Sequence, residues 1–114
     1  MGPTSVVMEF RVHVGGEFST NPKGYIGGRV GMMRFVEPGQ VEWYLMVENL
    51  AYHGYRGNAE LYYRHPTQEV PGGLVRIWGP EDVEQLMIAH EGRKKCDLYI
   101  VNEEFSDIDD EDYY

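Results

Sequence analysis

The sequence predicts an α+β domain, a mixed sheet with two helices on one face, in the order β-β-α-β-β-α-β. Three observations predict it. The first segment alternates apolar and polar residues with period two, two later segments carry apolar residues at helical spacing, and the closing segment is apolar on both alternating faces.

Val6, Met8, Phe10, Val12 and Val14 share one face of the first segment, with Glu9, Arg11 and His13 on the other, as in a strand with one buried side. Gly15-Gly16 ends it. The stretch from Glu17 to Gly24 holds Ser19, Thr20, Asn21 and Pro22 and reads as a wide hairpin connection. Tyr25 to Phe35 is the second strand, in which Gly27-Gly28 and Gly31 predict a bulge or a close backbone approach. The two strands are expected to form an antiparallel ribbon.

After Pro38-Gly39 the spacing turns helical. Val41, Leu45 and Ala51 or Tyr52 align, as do Trp43, Met46, Val47 and Leu50, with Glu42, Glu48 and Asn49 outside the stripe and Tyr44 at its edge. His53-Gly54 is the expected stop, because glycine accepts the left-handed conformation beyond a last turn. A third strand covers about Ala59 to Arg64 and ends at His65-Pro66, where proline offers no ladder donor. Leu74 to Trp78 forms a short strand hairpinned to it. Gly79-Pro80-Glu81-Asp82 opens a second helix, with proline in the first turn and carboxylates at its positive end, and Val83, Leu86, Met87 and Ala89 inside. Cys96, Leu98 and Ile100 then alternate with Asp97, Tyr99 and Val101, as a central strand would. This is the element order of the ubiquitin-like β-grasp family, and two helices too short to stand alone require the sheet for support.

The chain has 114 residues, enough for one core. Its 42% hydrophobic and 25% charged residues are a globular mixture. The net charge of −9 is unevenly placed: through Asn102 twelve acidic residues face ten basic ones, whereas Glu103 to Tyr114 adds seven carboxylates and no cation. The expected organisation is a frayed start over residues 1–5, a folded domain over 6–102 and a flexible acidic tail over 103–114. Phe105, Ile108, Tyr113 and Tyr114 interrupt the tail's charge, which suits a docking segment as well as a solubilising end. No apolar run approaches the roughly 18 residues of a membrane helix, and a lone Cys96 makes no internal disulfide. The expectation is an intracellular protein, cytoplasmic or nuclear, with no membrane partner.

The chemistry-bearing residues form no catalytic motif. His13, His53, His65 and His90 lack zinc spacing, and Cys96 fits a buried structural thiol. The glycine pairs lack a phosphate-loop ending, and the tail carboxylates lack the spacing of a calcium loop. No catalytic residue, metal, cofactor or small-molecule substrate is expected. Arg93-Lys94-Lys95 is a short basic set and marks the alternative of nucleic-acid contact, which the net negative charge disfavours.

Phe10-Arg11-Val12-His13-Val14-Gly15-Gly16-Glu17-Phe18, followed by Tyr25-Ile26-Gly27-Gly28-Arg29-Val30, resembles the PB1-like domain found at the N-terminus of many plant proteins related to Mutator-type transposases. Leu50 to Tyr55, Leu61-Tyr62-Tyr63 and Leu98-Tyr99-Ile100-Val101 extend the likeness over about Val6 to Asn102. The resemblance implies a β-grasp fold and a non-catalytic protein-interaction role, homotypic or heterotypic. PB1 domains pair a basic patch with an acidic loop, which points to Arg11, His13 and Arg29 as the basic face. Glu81, Asp82 and Glu84, with Asp107, Asp109, Asp110, Glu111 and Asp112 of the tail, supply the acidic one. Between Arg64 and Arg76 the chain departs from that pattern, with Glu69 as its single carboxylate.

Overall fold

A computed structural model describes residues 7–20, 23–37, 41–56, 58–69 and 72–101. Strands β1 (Met8–Val14), β4 (Arg29–Phe35), β5 (Glu60–Arg64), β6 (Leu74–Arg76) and β7 (Lys95–Val101) form one mixed sheet in the order β4-β1-β7-β5-β6. β1 and β7 run parallel at its centre, and every other neighbouring pair is antiparallel. Helices α1 (Trp43–Leu50) and α2 (Pro80–Ala89) pack on one face of this sheet, so the fold is an α+β ubiquitin-like β-grasp.

The alternation in β1 decides which face is covered. Met8, Phe10, Val12 and Val14 are buried and meet Met46 and Leu50 of α1 and Val83 and Leu86 of α2. Leu61 and Tyr63 of β5 and Cys96, Leu98 and Ile100 of β7 complete the core. In β7 the residues from Cys96 to Ile100 are all buried, as its central place requires: Asp97 and Tyr99 are covered on the side away from the helices.

The stop read at Gly54 and the opening read at Pro80 both mark helix boundaries in the structure, and Glu42 adds a cap. The Glu42 carboxylate accepts from the Tyr44 and Leu45 amides at 3.2 and 3.0 Å and caps α1. A single 3-10 turn, Ala51–His53, carries the chain to Gly54 at φ 104°. Pro80 opens α2, and Asp82 in its first turn accepts from the Trp78 amide at 2.7 Å. Tyr44, at the stripe's edge in sequence, is exposed.

One expectation is corrected. Residues 17–24 are not a plain connection, and Tyr25 to Phe35 is not one strand. β2 (Glu17–Thr20) and β3 (Lys23–Ile26) pair with each other as a separate two-stranded ribbon, and the sheet strand begins only at Arg29. The cause is the glycine pair between them: Gly27 and Gly28 lie at φ 80° and 75°, a conformation that breaks an extended run. At the ribbon's base the two backbones touch. A Cβ on Gly28 would lie 2.5 Å from the Gly16 nitrogen and 2.5 Å from the Val14 oxygen.

That contact makes Gly28→Ala the harsher of two glycine substitutions. It combines left-handed strain with a backbone clash that no rotamer relieves, and an expected loss of about 2–3 kcal/mol follows. Gly31→Ala meets only the His53 ring, which can turn aside, and is expected to cost under about 1.5 kcal/mol. Urea denaturation of both variants checks the order, and equal losses would contradict it.

Candidate functional site

The face of the sheet away from the helices carries two rows of side chains set by strand register. Arg11 of β1 lies beside Asp97 of β7, and Arg64 of β5 reaches the same carboxylate from the other side. In the next row His13, Tyr99, Tyr62 and Arg76 follow one another across β1, β7, β5 and β6. Only the third dimension makes these rows, because 86 residues separate Arg11 from Asp97.

Asp97 is the centre. Its carboxylate accepts from His13 Nε2 at 3.0 Å, lies 3.1 Å from Arg11 Nε and accepts from Arg64 Nη2 at 3.2 Å. The residue is only 7% exposed. Burial pushes its pKa up, but the His13 hydrogen bond and the Arg11 and Arg64 guanidiniums outweigh burial and hold it below the ordinary carboxylate value. A lone buried carboxylate would cost several kcal/mol, so the three donors are what make an ionised residue tolerable in a central strand.

Aromatic rings cover the second row. His13 stacks on Tyr99 at 4.5 Å, and Phe18 and Tyr25 of the ribbon stand over Tyr99 at 5.3 and 5.1 Å. The Tyr25 hydroxyl accepts from the Gly16 amide at 2.7 Å, which ties β3 to the start of β2 at the ribbon's base. Beneath this cover, burial and then the Asp97 charge push the Tyr99 hydroxyl up to about 12. At the far edge Trp78 is exposed, with the Arg76 guanidinium 3.9 Å above its ring. Trp78 is thus a rim residue, while Trp43 packs partly against the core.

Beyond Asp97 lies a concavity of about 370 Å³ lined by Arg11, Arg64, Pro66, His90, Arg93, Lys94, Lys95 and Asp97. It gathers five cations around one carboxylate. Arg93, Lys94 and Lys95 are exposed and make no ion pair among the described residues. His90 is buried beside them, with Nδ1 donating to the Leu86 carbonyl at 2.8 Å. Burial first, then the nearby Arg93, His65 and Arg64, lower its pKa against that hydrogen bond, so the ring is neutral near pH 7. Such a surface attracts carboxylates or phosphates. Among the described residues no three His, Cys, Asp or Glu side chains stand close enough to hold a metal ion. Cys96 is buried in the core, with its thiol pKa pushed well up by burial. No helix among the described residues is long and apolar enough to cross a membrane.

A family model for the PB1-like domain matches residues 4–103. The chain belongs to the PB1-like domain family. It is accordingly a non-catalytic module. No curated protein matches the chain, and no solved structure does.

Against this PB1-like frame the residues singled out from sequence fall into new groups. Arg11 and His13 share the open face, but Arg29 does not: it sits opposite Val14, on the helix side, with its guanidinium near Gly54. Arg93, Lys94 and Lys95 join Arg11 around the concavity. Glu81, Asp82 and Glu84 lie in and just after the first turn of α2, whereas the basic side chains follow its end. Asp107, Asp109, Asp110, Glu111 and Asp112 lie outside the described residues. The four histidines have separate settings: His13 on Asp97, His53 against Gly31, His65 on Thr67 and His90 at the end of α2.

Arg64 and Asp97 are not candidate site residues in the sequence pattern, where His90 is only one of four histidines that lack metal spacing. Asp97 had a signal, a charged residue inside a strand otherwise apolar on both faces, whereas Arg64 and His90 had none.

Asp97→Asn keeps the shape and removes the charge. It is expected to lose about 2–4 kcal/mol near pH 7, since two guanidiniums lose their shared partner. A carboxyl with a lowered native pKa stabilises fully above its unfolded value of about 3.9 and loses that contribution as pH falls through the native one. The gap between the native protein and the variant should therefore close below about pH 4. Denaturation at pH 7 and pH 3 checks this, and a gap unchanged between them would contradict it.

Proposed function

We propose that this PB1-like domain is a protein-interaction module whose basic concavity receives a carboxylate-rich segment, in its specific form from a second copy of the chain. The observation that carries this reading is the concavity itself: five cations surround one carboxylate that is already engaged. Glu81 and Glu84, both exposed, supply a complementary group at the opposite end of α2. Ten helical residues span about 15 Å, so the acidic and basic groups of one copy stand apart at opposite ends of α2. Contact between copies is then head-to-tail, the kind of interface that builds rings or open filaments.

The run from Phe10 to Val30 resembles the domains at the N-terminus of plant Mutator-type transposase-related proteins, and on that resemblance the domain is read as an intracellular recruiting module of a longer chain. The alternative is an accessory nucleic-acid contact through Arg93, Lys94 and Lys95, now joined by Arg11 and Arg64. A chain with net charge −9 argues against it.

Light scattering across protein concentration and salt tests the reading. The native chain is expected to grow with concentration and shrink with salt, while Lys94→Glu/Lys95→Glu and Glu81→Lys/Glu84→Lys each stay monomeric. Mixed, the two variants retain one intact pair of surfaces and should form a capped dimer. A strict monomer under all conditions would reject the homotypic form, and salt-sensitive DNA or RNA binding lost with Lys94 and Lys95 would favour the alternative.

A further inference from the structure

Resting on the reading of the concavity as a carboxylate receptor, we infer that its resident occupant is the acidic stretch Asp109–Asp112 of the same chain, which competes with any partner for Arg11, Arg64, Arg93, Lys94 and Lys95. Charge is the first argument. Residues 103–114 carry seven carboxylates and no cation, and the concavity carries the chain's densest group of cations among the described residues, three of them without a carboxylate there. No other segment of the sequence matches it: from Arg64 to Arg76 there is one carboxylate, and Glu81 and Glu84 are fixed on α2 at its other end.

Reach is the second argument, and it selects which carboxylates take part. The chain passes the concavity at Lys95, and Val101 stands at the opposite end of β7. Six residue steps along a strand cover roughly 20 Å. A segment returning from Val101 covers at most about 3.3–3.6 Å per residue. The backbone of Glu103 and Glu104 therefore extends at most about 10 Å back, short of the Lys94 and Lys95 rim of the concavity, and Asp107 lies at its limit. Asp109, Asp110, Glu111 and Asp112 have roughly 26–39 Å of chain and reach with slack.

Tethering is the third. A segment joined by a short linker presents itself at an effective concentration on the order of millimolar, far above a partner's concentration in trans. A contact too weak to matter between separate molecules can then fill the site. Occupied about four-fifths of the time, the concavity would show an external ligand about a fivefold weaker apparent affinity.

Fluorescence anisotropy with a labelled hexaglutamate peptide tests this on full-length chains at low salt. Neutralising the distal group (Asp109→Asn, Asp110→Asn, Glu111→Gln, Asp112→Asn) should tighten peptide binding about fivefold. Neutralising Glu103→Gln and Glu104→Gln should change it less than about twofold, and adding Lys94→Glu/Lys95→Glu to either should abolish it. The distal gain should also shrink as salt rises. If the distal variant binds as the native chain does while Lys94→Glu/Lys95→Glu still abolishes binding, the intramolecular contact is refuted and the receptor reading stands. If proximal and distal variants gain equally, only general repulsion operates and the inference fails. Peptide binding that ignores Lys94 and Lys95, or none in any variant, would overturn both.

Discussion

The ionised carboxylate of Asp97 is the constraint on which the rest of this surface depends. It sits in the central strand and is held by His13, Arg11 and Arg64. A charge there is tolerable only because three donors from two neighbouring strands converge on it. The same pairing fixes a register that the hydrophobic pattern already favours: with Arg11 opposite Asp97, Phe10, Val12 and Val14 face the helices beside Cys96, Leu98 and Ile100. It also decides the electrostatics beyond. The carboxylate is spent on Arg11, Arg64 and His13, and Arg93, Lys94 and Lys95 are left without a carboxylate partner among the described residues.

The ribbon β2-β3 protects this arrangement. Phe18 and Tyr25 cover Tyr99, and His13 lies between Tyr99 and the Asp97 carboxylate. Water is kept from the middle of the face, which strengthens the ion pairs beside it. The glycine contact at Gly16 and Gly28 is what lets the ribbon leave the sheet and fold back over its aromatic row. The two halves of the open face therefore differ: one end is covered and aromatic, the other open and basic.

Much of the fold was legible in the sequence because it rests on local pattern. The alternation of β1, the stop at Gly54, the opening at Pro80 and the two-sided burial of β7 each follow from a few adjacent residues. The ribbon was missed because Ser19, Thr20, Asn21 and Pro22 read as turn residues, and Phe18 and Tyr25 reveal their purpose only against Tyr99. The site was legible in its residue types and not in its grouping. Arg11 and Arg29 are both basic and both precede an apolar residue, but register sends one to the open face and the other to the helix side. Arg64 and Asp97 meet only because β5 and β7 are neighbours in the sheet.

The PB1-like domain is thus a non-catalytic scaffold whose distinguishing surface is a satisfied acid surrounded by surplus cations. The surplus depends on Asp97 being ionised and engaged in the folded chain. The most direct measurement is the carboxyl carbon shift of Asp97 followed by NMR against pH. A midpoint below the ordinary carboxylate value of about 3.9 is what the three donors require. A midpoint at or above that value would mean that burial prevails over the clamp, and would contradict the account at its centre.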